Sequence, residues 1–310
     1  MKFVSTKTLA LQALALMMYV GANRLGAQSP HEIIKHRPNR FDAAAPTLGS
    51  TGVQSPAIAY HGGALISTPN VYLIWYGNWN QSNGSDTPAG QQIVRDFLHG
   101  INNSPYYQIN KSYGTPTGYI NIGREATDTG SQGTTLTDAK VQSIVSTAIS
   151  TGKLPADVYG IYFVLTSSNV VESSGFCTNY CGWHTAGWIS GLDIKYAFVG
   201  NSNRCLSACA AQMVGPNGNA GIDAMVSVIA HELEETNTDP EPISGWADAN
   251  GSESADKCAW TFGQSLSIAS NGAYYNMTLP TVSGGSRHYL IQRNLAANSE
   301  CYVDYVKKTQ

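Results

Sequence analysis

The chain has 310 residues, of which 42% are hydrophobic and 13% are charged, and its formal net charge is −3. This length allows one large domain or two small ones, with enough apolar residues for a sizeable core. No basic run occurs, so the composition disfavours nucleic acid or an anionic membrane surface as a partner.

The N-terminus has the three parts of a secretory signal. A positively charged start, MKFVSTK, precedes the apolar run LALQALALMMYVGA, and the following segment, NRLGAQS, ends in small residues. A run of about 14 residues is too short to span a bilayer comfortably. We therefore predict a signal peptide at 1–27, an extended leader or linker at 28–60 and one domain at 61–310. The mature protein is predicted to be extracellular and not inserted in a membrane.

Three segments have the composition of buried strands. Residues 70–77, 158–167 and 193–200 are apolar runs rich in aromatic and β-branched side chains. Between the first two, the spacing of apolar residues predicts two helices, one capped by Thr87 and one beginning near Thr137 or Asp138. Their apolar faces consist of Ile93, Val94, Phe97, Leu98 and Ile101 in the first helix, and of Val141, Ile144, Val145, Ala148 and Ile149 in the second. This alternation predicts a single α/β domain with a mixed sheet and helices.

Residues 173–188 show no clear period. Small residues, aromatic residues and two cysteines alternate there, and the segment also contains His184. We predict a loop that is held in place by disulfides.

The predicted export makes the six cysteines candidates for disulfides. Four of them form two Cys-x3-Cys pairs, for which a four-cysteine zinc site is the alternative. An oxidising compartment favours disulfides over zinc. The predicted bonds are Cys177–Cys181, Cys205–Cys209 and Cys258–Cys301.

The most charged stretch is AHELEETNTDP, at residues 230–240. Apolar residues upstream repeat at helical spacing, and Asp223 is a plausible N-cap. Pro240 cannot continue a helix, so the helix is predicted to end by Asn237 or Thr238.

This helix carries a His-Glu-x-x-Glu pattern. His231 and Glu235 are four residues apart and share one face, while Glu232 projects about 100° away. In the related His-Glu-x-x-His pattern, two helical ligands hold zinc and the glutamate is the general base. We predict that His231 and Glu235 bind a metal, zinc first and manganese or calcium as alternatives, with Glu232 as the base. A polar helix end that faces water is the plainer interpretation, and Glu234 is assigned to it.

A third ligand is expected downstream. Glu253 and Asp256 follow His231 by 22 and 25 residues. In thermolysin-like zinc peptidases a glutamate at about this separation completes the site, and a nearby aspartate orients the first histidine. We predict Glu253 as ligand and Asp256 as the orienting residue, although the two roles could be exchanged.

Three further residues are weaker candidates for the site. Asp239 is a possible ligand, and Asp248 is weaker still. His184 could supply a ligand or a hydrogen bond to a transition state, although a lone histidine is more often structural.

Several segments together resemble the Exordium or phosphate-induced family of secreted proteins. They include NVYLIWYGNW, GFCTNYCGWH, PNGNAGIDAMVSVIAHELEE and RHYLIQRNLAANSEC, and the similarity extends over roughly residues 60 to 303. It implies a His-Glu-x-x-Glu helix followed by a Glu-x-x-Asp-x-Cys segment, which supports Glu253 and Asp256 over Asp239. It also implies three disulfides and a place for His184. The family is linked with growth and with cell-wall or extracellular signalling in plants.

Two functions follow as hypotheses. The first is a secreted zinc-dependent hydrolase with a zincin-like (metallopeptidase-like) arrangement, in which Glu232 activates water and the substrate is an extracellular peptide. Its oxyanion could be stabilised by Tyr275, His288 or Tyr289. The second is a non-catalytic extracellular binding or signalling protein with a structural or vestigial metal site and a cell-wall component as partner. Its best sugar-stacking patch would be WYGNW at 75–79, which is more simply a strand and a turn. A serine or cysteine nucleophile is disfavoured because no Gly-x-Ser-x-Gly segment occurs.

Overall fold

The computed structural model describes residues 32–35, 54–263 and 266–305. Its strands are β1 (Glu32–Lys35), β2 (Ala59–Tyr60), β3 (Asn70–Tyr76), β4 (Asn121–Asp128), β5 (Thr135–Leu136), β6 (Gly160–Thr166), β7 (Val171–Glu172), β8 (Tyr180–Ile189), β9 (Leu192–Gly200), β10 (Trp246–Ala247), β11 (Ser267–Ile268), β12 (Tyr274–Tyr275), β13 (Met277–Pro280), β14 (Ser286–Tyr289), β15 (Asn294–Leu295) and β16 (Cys301–Tyr302). The α-helices are α1 (Pro88–Ile101), α2 (Asp138–Ser150), α3 (Leu206–Cys209) and α4 (Ala220–Thr238), and short 3-10 helices span Tyr107–Tyr113, Ser202–Arg204 and Asp256–Cys258.

Six strands form one mixed sheet in the order β1-β8-β9-β6-β3-β4. The strands β9, β6, β3 and β4 run parallel to one another, whereas β8 is antiparallel to both of its neighbours. Parallel strands need long connections: α1 lies in the connection between the neighbours β3 and β4, and α2 lies in the connection from β4 to β6, which sit on either side of β3. The predicted α/β domain with a mixed sheet is confirmed.

Local signals placed the first two helices correctly. Thr87 caps α1 by accepting a hydrogen bond from the Gly90 amide, and Thr137 caps α2 through the Lys140 amide. All ten predicted apolar positions of the two helices are buried, because they face the sheet and the neighbouring helices. The strands β3, β6 and β9 also lie where the apolar runs predicted them.

Helices cover both faces of the sheet. A Cβ atom added at Gly182 of β8 would lie 2.6 Å from Val228 Cγ1 of α4, and one at Gly187 would lie 2.7 Å from Gln142 Nε2 of α2. An odd separation along a strand points to opposite faces. The helix α4 therefore lies on one face, where it also packs against α1, and α2 lies on the other.

The predicted loop at 173–188 is wrong from Tyr180 onward. This part forms β8, and its residues from Tyr180 to Thr185 are buried, His184 completely. Alternation of polar and apolar residues is absent because α4 and α2 cover the two faces of this strand, so neither face selects polar residues.

Two of the three predicted disulfide pairs are also wrong. The structure joins Cys177 to Cys205 and Cys181 to Cys209, while Cys258 pairs with Cys301 as predicted. Cys205 is the N-cap of the single-turn helix α3 and Cys209 is its last residue, so both can face Cys177, just before β8, and Cys181, near the start of β8. The bonds thus connect two segments instead of closing two small loops.

The segment predicted as a leader contributes β1 at the edge of the sheet and β2. The predicted signal peptide lies outside the described residues. Among the helices of the described part of the chain, none has the length and apolar character needed to cross a membrane.

Candidate metal-binding site

The helix α4 carries the His-Glu-x-x-Glu pattern. It ends at Thr238, as predicted, but it begins earlier than predicted. Its N-cap is Asn219, whose side chain accepts a hydrogen bond from the Ile222 amide, and Asp223 lies within the first turn. Asp223 instead accepts hydrogen bonds from the side chain and the backbone amide of Asn217, so the preceding loop uses this carboxylate.

The C-terminal half of α4 is enclosed by protein, which contradicts the assignment of Glu234 to a solvated helix end. Every residue of α4 from Met225 to Thr238 is buried. The Glu234 carboxylate is completely buried and accepts a 2.7 Å hydrogen bond from Asn294 Nδ2. Burial raises the pKa of Glu234 well above its usual range. The 3-10 helix 107–113 packs against α4, a contact that helix periodicity does not reveal.

His231, Glu235 and Asp256 come together at one place. His231 Nε2 lies 3.1 Å from Glu235 Oε2 and 3.7 Å from Asp256 Oδ1. One potential ligand atom from each of the three residues lies within 4.8 Å of the other two. Among the described residues, neither ring nitrogen of His231 makes a well-directed hydrogen bond, although the ring is buried. Buried polar atoms normally have partners, so this ring is a candidate ligand.

The second oxygen of Glu235 holds the segment that carries Asp256. Glu235 Oε1 accepts hydrogen bonds of 3.0 Å and 2.8 Å from the amides of Ala255 and Asp256. The disulfide of Cys258 anchors the same segment. Glu235 thus points one oxygen at the backbone and the other at His231.

Glu232 faces the sheet and meets His184. His184 Nδ1 lies 3.2 Å from Glu232 Oε2, and His184 Nε2 lies 3.2 Å from the carbonyl oxygen of Asp239. Since a carbonyl oxygen only accepts, Nε2 carries a proton and donates it there. A second proton lies between Nδ1 and the Glu232 carboxylate. Both nitrogens of His184 therefore have acceptors within the protein.

The glycine at position 182 permits this contact. A Cβ atom there would lie 2.6 Å from Val228 Cγ1 and 3.1 Å from Glu232 Oε1. Only a residue without a side chain allows α4 to approach β8 this closely.

The charges in this cluster do not balance. His184 and His231 lie among the carboxyl groups of Glu232, Glu235, Glu253 and Asp256, so two imidazoles face four acids. Burial alone would lower the pKa of His231, but Glu235 and the other carboxylates outweigh it and raise that pKa to about 9. Burial raises the pKa of Glu232 to about 7, against the opposing effect of the two histidines. The pKa of Glu235 is lowered, because His231 outweighs the effect of burial.

Comparison with known proteins places the chain in a family. The family model described as the phosphate-induced protein 1 conserved region matches residues 58–293. The chain belongs to this family.

Its plant relatives are similar over most of their length. EXORDIUM-like 3 of Arabidopsis thaliana is 31% identical over 316 residues, which cover 85% of this chain and 90% of the relative. EXORDIUM of the same plant is 28% identical, with coverage of 75% and 82%, and PHOSPHATE-INDUCED 1 of Nicotiana tabacum is 29% identical, with coverage of 61% and 67%. No solved structure matches the chain.

In this family member, the other predicted acids have structural partners. The Asp239 carboxylate accepts hydrogen bonds from the amides of residues 243–245, which closes the turn after α4. Asp248 pairs with Lys257 Nζ at 2.6 Å and accepts two backbone amides. Glu253 lies beside His184, with 3.6 Å between Glu253 Oε2 and His184 Nε2.

The predicted oxyanion and sugar-binding residues lie elsewhere. Tyr289 donates a hydrogen bond to Ile93 O of α1, and Tyr275 stacks on His288 at 4.0 Å. Trp75 and Trp79 are buried in the core, which confirms the simpler interpretation of WYGNW as a strand and a turn.

Proposed function

We propose that this family member is an extracellular zinc-dependent hydrolase that acts on peptide bonds. His231, Glu235 and Asp256 would hold the metal, and Glu232 would act as the general base. The observation that carries this proposal is the buried His231 ring, whose Nε2 faces two carboxylate oxygens while its nitrogens make no hydrogen bond among the described residues. Three disulfides are compatible with the proposed extracellular location.

The donor set fits the proposed metal. One imidazole and two carboxylates are ligands that zinc accepts, and the excess of buried carboxylates favours a bound cation. The geometry favours Asp256 as the third ligand and leaves Glu253 beside His184, which is the exchange of roles that the sequence left open. Such an acidic set would also suit manganese or calcium, so metal identity is part of the test.

The proposed acid–base groups are Glu232, on the side of α4 that faces the sheet, and His184 of β8. A bound zinc ion would act as a Lewis acid toward a substrate carbonyl. Glu232 Oε2 would accept a proton from the attacking water and later donate it to the leaving amine. His184 would fix the orientation of Glu232 through Nδ1, since its other nitrogen is already tied to Asp239 O.

The first test is metal content. The mature protein, purified without chelators or a histidine tag, is expected to contain about one zinc per chain by mass spectrometry. His231→Ala should lose it, whereas His99→Ala, which changes an exposed histidine on α1, should keep it. Equal metal content in the His231→Ala and His99→Ala variants would refute the assignment.

The second test separates the base from the ligands. Glu232→Gln is expected to retain zinc and to lose cleavage of a mixed peptide library by at least about a hundredfold, the scale of general acid–base catalysis. Glu234→Gln alters a buried glutamate two residues away that contacts Asn294, and it should retain both properties. A Glu232→Gln protein with full turnover would exclude this role.

Complete burial favours a second candidate function. His184, His231, Glu232 and Glu235 are all at most 1% exposed. A closed cluster of this kind suits a structural metal in an extracellular binding protein. That alternative predicts bound zinc, a large loss of stability on chelation, and no peptide cleavage by any form of the protein.

A further inference from the structure

The strand β1 occupies the edge of the sheet nearest to the candidate site. It pairs antiparallel with β8, with Ile33 opposite Trp183 and Ile34 opposite Gly182. On its other side, β8 pairs with β9, so β1 is the outermost strand. It is four residues long and lies before all the other described elements of the chain.

The register brings this strand to the acid–base pair. Glu32 is the residue opposite His184, whose ring contacts Glu232. Paired strands lie about 4.8 Å apart, so a chain on this edge is the strand closest to His184 on that side of the sheet. The strand β1 also contacts α4 itself.

An open strand edge binds extended peptides. Without β1, the outer side of β8 would present unpaired N–H and C=O groups from Tyr180 to His184. A peptide that adds to such an edge forms backbone hydrogen bonds whatever its sequence. The edge of β8 can accept such a chain, because it already pairs with the short N-terminal strand β1.

We propose that the outer edge of β8 is the docking edge for an extended peptide and that residues 32–35 are its internal occupant. The chain would therefore carry its own competitor for this edge, and displacement of β1 would expose the backbone edge of β8 from Tyr180 to His184. The role of the docked peptide as a substrate rests on the proposed function, whereas docking itself does not.

The experiment keeps β1 in place during folding. A recognition sequence for a site-specific protease is inserted between Ala44 and Ala45, and the folded, disulfide-bonded protein is cut afterwards. A labelled peptide of residues 28–44 is then added in excess to the intact and to the cut protein. The matched control peptide carries Ile33→Pro and Ile34→Pro. Adjacent residues of a strand direct their N–H groups to opposite sides, so one of these two must point towards β8.

Saturable binding is expected only with the cut protein, and the proline peptide should bind at least about tenfold more weakly, since one lost hydrogen bond amounts to roughly that factor. Equal binding of the two peptides, binding to intact and cut protein alike, or no binding to either would overturn the proposal.

Peptide cleavage distinguishes this inference from the proposed function. After removal of the cut segment, cleavage of the peptide library should rise at least about tenfold and fall again when the peptide of residues 28–44 is added. Selective peptide binding with no cleavage by any form would sink the hydrolase and leave the docking edge standing. Cleavage that neither cutting nor added peptide changes would leave the hydrolase standing and show that this edge does not bind its substrate.

Discussion

Two regions of this protein bury carboxylates but differ in the groups that surround them: the loop that carries Asp86 and the cluster around His231. Asp86, in the loop after β3, is completely buried and has a full set of donors. Its carboxylate accepts hydrogen bonds from Gln81, Asn83, Ser168 and Asn201, with Ser168 donating through both its amide and its hydroxyl. The loop is thereby tied to the ends of two parallel strands.

The cluster around His231 lacks a comparable set of amide and hydroxyl donors. Glu235 Oε1 accepts two backbone amides, but each acid of the cluster also places a carboxylate oxygen beside an imidazole ring, and the nitrogens of His231 make no hydrogen bond among the described residues. The proposed metal would offset the charge of the carboxylates that crowd around the imidazole, whereas the amide and hydroxyl donors around Asp86 do so without a cation. The comparison shows that burial alone does not identify a candidate metal site, because the Asp86 carboxylate is as buried as that of Glu235.

Asp86→Ala should produce the largest loss of stability. Removal of the carboxylate leaves several buried donors without an acceptor, each at a cost of about 1–3 kcal/mol, so the free energy of unfolding should fall by roughly 5 kcal/mol. Urea denaturation with the disulfides intact measures this loss. Zinc content should stay unchanged, and a variant that loses metal would break the distinction between the two regions.

Chelation should have the next largest effect, and only through the cluster around His231. At a free zinc concentration about 1,000 times the Kd, bound metal contributes about 4 kcal/mol to the free energy of unfolding. Removal of zinc should therefore lower the stability of the wild type and of His99→Ala, but not that of His231→Ala. A chelator response in His231→Ala would place the metal elsewhere.

Asp223 is a buried carboxyl group with fewer hydrogen-bond donors than Asp86, so its burial should cost stability when it ionises. Burial raises its pKa to about 6, against the lowering effect of the hydrogen bonds from Asn217. Well below pH 4 the carboxyl is protonated in both states. As the pH rises from about 4 to 6, the unfolded chain ionises first, so the folded state loses about 3 kcal/mol relative to Asp223→Asn. Urea denaturation of both proteins between pH 4 and 7 gives the difference.

Asp96 is the matched control for this pH dependence. Burial would raise its pKa, but Arg287 and other donors outweigh burial and lower it. Its contribution therefore has the opposite sign, and the wild type should gain stability over Asp96→Asn as the pH rises through the acid range. Slopes of the same sign for both pairs would contradict the assigned causes.

Gly182→Ala should have the smallest effect on stability. The added methyl would overlap Val228 Cγ1 and press on Glu232, at a cost of about 2 kcal/mol. Zinc content should be unchanged, because neither residue is a proposed ligand, while peptide cleavage should fall. Combination with Val228→Ala should recover part of the loss, and strict additivity of the two changes would show that the predicted contact is not formed.

The sequence by itself determined the local elements. Hydrophobic spacing and capping residues placed α1, α2 and the strands β3, β6 and β9, because helix period, strand composition and caps depend on neighbours within a few residues. The same spacing put His231 and Glu235 on one helical face. The segment with Glu253 and Asp256 was also recognised as the source of further acids.

Only the tertiary structure decided the rest. It made β8 a strand, joined two separate segments by the disulfides Cys177–Cys205 and Cys181–Cys209, buried Glu234 and brought Asp256 within 3.7 Å of His231. Each of these outcomes depends on residues that are distant in the chain. The clearest signal for such a contact was Gly182, a glycine within a strand, and its meaning emerged only when α4 packed against it. Local periodicity carries no information about which distant surface will cover a residue, and that surface determines whether an acid meets water, an amide or a histidine.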